Sequence, residues 1–188
     1  MTAYIGIDCG SSLCGLAVLE GFELREYAHC GPRDAVRIIE SHCAPIVAIE
    51  QIQGYAFNPS RVKDLVETAR TEGWILSSCH YGEATSRVFS AREARGEFCR
   101  TPRASDKQVA IVIEDLVTIS PHVAKLKATM RPHVYDAALV ALLAMRRDGV
   151  RVPPLSNAAE VKLMSIQALE NEKRTAKSRA KKMAAVRL

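Results

Sequence analysis

Asp8, Glu50, His133 and Asp136 are the side chains in this sequence whose types and placement can do chemistry together. Asp8 closes the apolar run YIGID, Glu50 closes VAIE, and His133 and Asp136 stand at the start of HVYDAALVAL. Carboxylates with waters and phosphate oxygens suit Mg²⁺ or Mn²⁺, whereas zinc would normally recruit thiolates or more histidines. Two such ions, ~4 Å apart, activate a water and stabilise the leaving oxygen of a phosphodiester. Metal-dependent phosphodiester hydrolysis, with two ions per site, is the chemistry expected of the set.

Each of the four also has a plain structural reading. Asp8, between glycines, would serve as a turn former; His133 would be a surface residue near a helix start; Asp136 would only complement the helix dipole. Glu50 is harder to dismiss, because a carboxylate ending a central apolar strand is costly to bury without a partner or a metal. Their joint occurrence favours the site.

Regular elements must deliver these groups. Residues 3–8, 14–20 and 22–29 read as three strands in an antiparallel meander, turning at Gly10 and Gly21. Residues 33–43 read as a helix, Ala44-Pro45 breaks it, and Ile46 to Glu50 forms an almost wholly apolar fourth strand, central and, after a helical crossover, paired in parallel. After a polar loop from Gln51 to Pro59, residues 60–79 read as a helix with Ser60 as cap, 83–89 as a fifth strand, and 91–97 and 105–117 as helices. Residues 121–131 read as a flexible linker. Pro132 then suits the first turn of a helix, and Val134 to Met145 contains neither Gly nor Pro. His133 and Asp136, three apart, fall one turn apart on one face of it. The order βββαβαβαα, with acids on the first and fourth strands and the last helix, is the layout of the ribonuclease H-like α/β fold: a mixed five-stranded sheet flanked by helices.

At 188 residues and 48% hydrophobic content the chain fits one core domain, expected over 1–150, with a basic extension over 151–188 that is helical or disordered. Of the 26 Lys and Arg, eight lie beyond residue 159, against three of the 21 Asp and Glu, so the whole excess of +5 sits in the tail. There, Val161, Met164, Ile166 and Leu169 suggest an amphipathic helix suited to packing on a partner subunit, and Lys173 to Lys182 is a basic run. The six cysteines form no CxxC pair and read as buried free thiols. No stretch has the length of a membrane span and the start lacks the regions of a signal peptide, so a cytoplasmic location is expected, the host cytoplasm if the source is viral.

GIDCG, AIEQI, SAREAR, SDKQV and HVYDAALVAL, in this order over about residues 3–147, resemble the RuvC family of Holliday-junction resolvases. The resemblance implies a homodimeric, Mg²⁺-dependent endonuclease of DNA recombination and repair that nicks two strands of a four-way junction symmetrically. It makes Asp8, Glu50, His133 and Asp136 the metal-binding catalytic positions; some members carry Asp where this chain has His133. It also implies that Lys107, in SDKQV, is a catalytic residue contacting DNA near the scissile phosphate, with Arg92 of SAREAR a second contact and Arg103 in the same basic stretch. Two departures stand out. GIDCG replaces the usual GIDPG, leaving the acid untouched, and Gln53 occupies the position where many members place an aromatic wedge, with Tyr55 close by as a substitute DNA contact.

Rival readings keep part of this picture. A broader nuclease of forks, flaps or RNA:DNA hybrids would share the metal site, which engages phosphate rather than base identity. A catalytically silent junction-binding protein would not need the acids. IGIDCGSS also resembles the first phosphate-binding turn of actin-like ATPases, but that fold needs a second domain and a second glycine-rich turn, and neither is present.

Overall fold

The computed structural model describes residues 2–51, 62–119 and 127–185, with side chains as far as residue 179. Strands β1 (Ala3–Cys9), β2 (Cys14–Glu20) and β3 (Glu23–Cys30) form the expected meander, and Gly21 turns the second corner with φ of 60°, a conformation glycine adopts without strain. Helix α1 (Pro32–Glu40), which carries Pro32 in its first turn, crosses over to β4 (Ile46–Gln51), and β4 pairs parallel to β1. Helix α2 (Val62–Tyr81) leads to β5 (Thr85–Ser90), parallel to β4.

The chain then runs through α3 (Ala91–Cys99), α4 (Asp106–Leu116), β6 (Thr118–Ile119), α5 (Arg131–Arg147) and α6 (Asn157–Ala185). Ser90 caps α3 by accepting from the Glu93 amide at 3.1 Å. At the start of α4, Gln108 reaches back to the Ser105 amide at 3.0 Å. These two caps fix where the basic segment between β5 and α4 stops and starts turning.

The sheet order is β5-β4-β1-β2-β3-β6. All five anticipated strands are present in a mixed sheet flanked by helices. The sixth, β6, lines up parallel beside β3, and its two residues are too few to leave a periodic trace in the sequence. Ser60, the expected cap, and residues 121–126 of the expected linker lie outside the described residues; the rest of that linker is a hydrogen-bonded turn closed by Met130 on Lys127 at 2.9 Å, and Arg131 already belongs to α5.

Side chains alternate between two cores. One face of the sheet packs Ile5, Ile7, Leu16, Val18, Val47 and Ile49 against α1 and α2. On the other, Tyr4, Ala17, Leu19 and Ala48 meet α5, which is buried from Val134 to Met145 except at Asp136 because α3 and α4 cover its outer side. A helix apolar all round must be enclosed, and α5 is the central helix of this layer.

The extension is helical. Ala159 and Leu163 at the start of α6 are buried against α4, while Ser156 donates its amide to Asp115 at 2.8 Å and Arg100 pairs with Glu160. Leu163 faces the chain's own core, while the stripe expected to meet a partner subunit stays open, with Val161, Met164 and Leu169 exposed and Ile166 half-buried. Among the described residues no helix is long and apolar enough to cross a membrane.

Candidate active site

Period-two alternation along β1 sends Tyr4, Gly6 and Asp8 toward α5. The parallel register sets Asp8 directly beside Glu50, so two acids from distant parts of the sequence become neighbours at one end of the sheet. On the other side of Asp8 the antiparallel register sets Gly15.

Helix α5 comes down onto this row through the glycines. A Cβ at Gly6 would lie 1.7 Å from the carbonyl oxygen of Ala137, and one at Gly15 would lie 2.4 Å from that of His133. Only hydrogen fits at these two places. The approach brings His133 onto Asp8: Nδ1 donates to Oδ2 at 2.7 Å, since a carboxylate can only accept.

Asp136, a turn further along α5, is met by Arg95 of α3. Nη2 donates to both carboxylate oxygens, at 2.9 and 2.8 Å, and reaches Asp106 at 3.3 Å, while Nη1 donates to the Ala104 carbonyl at 2.6 Å. One guanidinium thereby ties α3, the loop after it, the start of α4 and α5 around the acids.

The electrostatics follow from crowding carboxylates in a half-buried place. Burial, then Asp8 and Asp136, push the Glu50 carboxyl up to about 8, against smaller opposing pulls from Arg95 and His133. Burial likewise raises Asp136 to about 6, although Arg95 pulls the other way. His133 is raised, first of all by its hydrogen bond to Asp8.

Among the described residues no group of three or more His, Cys, Asp or Glu side chains is gathered tightly enough to hold a metal ion. The oxygens of Asp8 and Asp136 are turned to His133 and Arg95 instead. The donor types nonetheless fit a hard divalent cation, because three mutually repelling acids with one raised to about 8 are what such a charge relieves.

The other candidates are distributed around this centre. Lys107 is exposed in the first turn of α4, next to Asp106 and so close to the Arg95 clamp; Arg92 is exposed in the first turn of α3, and Arg103 in the loop between the two helices. Gln53 and Tyr55 lie outside the described residues. Sequence reasoning missed two participants. Arg95 was visible only as one of several cations in a basic stretch, and His29, whose ring stacks on His133 at 5.1 Å between centroids with planes 3° apart, gave no signal at all.

Sheet order, crossover and enclosed α5 define a ribonuclease H-like fold of the RuvC kind. A Thermus thermophilus RuvC structure superposes with a TM-score of 0.56 at 17% identity, covering 81% of this chain and 99% of that one. The T. thermophilus RuvC in complex with a Holliday junction substrate gives 0.58 at 16% identity, covering 82% and 100%. No protein-family model matches the sequence, and no curated protein sequence matches it.

Proposed function

We propose that this chain is a Mg²⁺- or Mn²⁺-dependent endonuclease that resolves four-way DNA junctions by paired phosphodiester hydrolysis, acting as a homodimer in the cytoplasm. The observation that carries the reading is the adjacency of Asp8 and Glu50 across β1 and β4, with His133 on Asp8 and Asp136 one turn along the same helix. In a RuvC-like fold that row has the donor set for two metal ions, held by Asp8, Glu50, His133 and Asp136. Bound there, the ions supply Lewis acidity at a phosphate oxygen and lower the pKa of a water.

The chain's own groups do the rest. Asp8 fixes the His133 tautomer by accepting from Nδ1, which leaves Nε2 as its ligand atom. Arg95 holds the Asp136 carboxylate in one orientation and, with Lys107 beside it, sets positive charge where phosphates approach. Arg92, Arg103, Gln53 and Tyr55 complete the DNA contacts. Phosphate contacts position the substrate and carry no sequence information. Junction selectivity therefore comes from the two-fold arrangement of two sites in a dimer.

The test is cleavage of matched four-way, forked, duplex and RNA:DNA hybrid substrates in Mg²⁺ and in Mn²⁺, with Asp8→Asn alongside. Paired nicks at the junction are expected, lost in Asp8→Asn while junction binding persists. Binding without nicking in either metal would overturn the reading, and equal cutting of forks or hybrids would remove its junction selectivity.

A further inference from the structure

The transverse row that carries Glu50, Asp8 and Gly15 continues into β3, where the antiparallel register sets His29 directly opposite Gly15. Gly15 has no side chain to fill the space above β2, and a Cβ there would stand 2.7 Å from the His133 Cβ. The His29 ring uses that opening. It lies parallel to the His133 ring, 5.1 Å between centroids, and its Nδ1 is buried with no hydrogen-bond partner among the described residues.

A buried imidazole nitrogen left unpaired costs stability, so His29 is poorly explained by hydrogen bonding of its own. Its flat face is what the site uses. The hydrogen bond to Asp8 fixes one atom of the His133 ring, Nδ1, and leaves the ring able to tilt about it. Tilting would swing Nε2, the atom available to a ligand. A second ring packed parallel against the first blocks that motion while leaving the ring edge open, as offset stacks do.

We infer that His29 is a positioning residue that holds the His133 imidazole in its ligand orientation through ring stacking. The inference rests on His133 being a metal ligand, as proposed above. It concerns a residue outside the proposed metal-ligand and DNA-contact sets. The required property is a planar ring at position 29, so phenylalanine should replace histidine and a leucine of similar volume should not.

The experiment measures Mn²⁺ binding to the full chain by calorimetry and by electron paramagnetic resonance, for wild type, His29→Phe, His29→Leu and His29→Ala, each also with His133→Ala. Thermal midpoints are taken in parallel. The Phe variant should bind within twofold of wild type, and the Leu and Ala variants about three- to tenfold more weakly, the range a stacking contact supplies. With His133 removed, position 29 should have no further effect. Wild-type affinity in the Leu and Ala variants, or an equal loss in the Phe variant, overturns the assignment, as does a His29→Ala loss that persists without His133. Junction nicking separates the two readings: Mn²⁺ binding that responds as expected in a protein that never nicks sinks the nuclease and leaves His29 standing. Nicking with Mn²⁺ affinity indifferent to position 29 does the reverse, and a wild type that binds no Mn²⁺ overturns both.

Discussion

A carboxylate at the end of a buried strand is tolerated only where its charge is answered, and Glu50 shows the cost when the neighbours are acids. Its folded-state value of about 8 lies above the ordinary carboxylate range, so the fold prefers it protonated. The stability it contributes is fully present below that range and is lost as pH rises through it to about 8, a change on the order of 1–4 kcal/mol. In chelator, the thermal midpoint should therefore fall over this interval; Glu50→Gln should flatten the fall, and Mg²⁺ should reverse it at the alkaline end. A flat wild-type profile would mean that Glu50 is better solvated than its surroundings imply. Arg95 belongs to the same cluster. Arg95→Ala leaves Asp136 without its two charge-assisted bonds and should lower unfolding stability by about 1.5–3 kcal/mol in a denaturant titration, with Arg95→Lys recovering the charge but not the fork. Asp8 and Glu50 were legible as candidates because each ends an apolar run, and Asp136 because it follows His133 by three in a helical stretch; both are local signals. Arg95 and His29 were not, because Arg95 meets Asp136 across 41 residues and the stack on His133 exists only once β3 and α5 are packed.

At the scale of elements, the site depends on how closely α5 approaches the sheet, and two glycines set that distance. Gly15→Ala would drive a methyl into the backbone of His133, so α5 must lift or β2 must bend. The expected cost is about 1–3 kcal/mol of overpacking, together with weakened Mn²⁺ binding because His133 moves with its helix. Gly73→Ala is the opposing control: it sits exposed in α2 with nothing among the described residues near its Cβ position, and should stabilise by about 0.5–1 kcal/mol. If both substitutions were neutral, the close approach would not govern the site. Strands and helices here were readable from period and punctuation, since β4 and α5 carry unbroken apolar runs between Gly and Pro breaks. Gly6 and Gly15 lay in plain view inside strands, yet glycine inside a strand signals only that something comes near, not what. The identity of that neighbour is a tertiary fact, as is the burial of Leu163 beside the exposed apolar stripe of α6.

For the whole molecule the deciding quantity is where the charge lies. Residues before α6 carry balanced charge, so long-range attraction to a polyanion must come from the tail. Lys173, Arg174, Lys177 and Arg179 are all exposed along α6, and among the described residues the one ion pair they make is Arg174 with Glu170 at 3.7 Å. That pair is surface-exposed and too long to hold the charge back from phosphate. Each cation that meets a phosphate releases about 0.9 of a counterion from duplex DNA, so replacing these four by Gln should reduce the slope of log affinity against log salt by up to about 3–4. Gln keeps the helix propensity, and Ala159 and Leu163 keep the start of α6 on α4, so the folded chain is retained. Because phosphate contacts are blind to sequence, the loss should be the same for duplex and four-way DNA, whereas cleavage at saturating DNA should not change. Binding isotherms at several salt concentrations decide it. An unchanged slope would assign the tail to packing alone, and a loss confined to four-way DNA would instead place these residues at the junction.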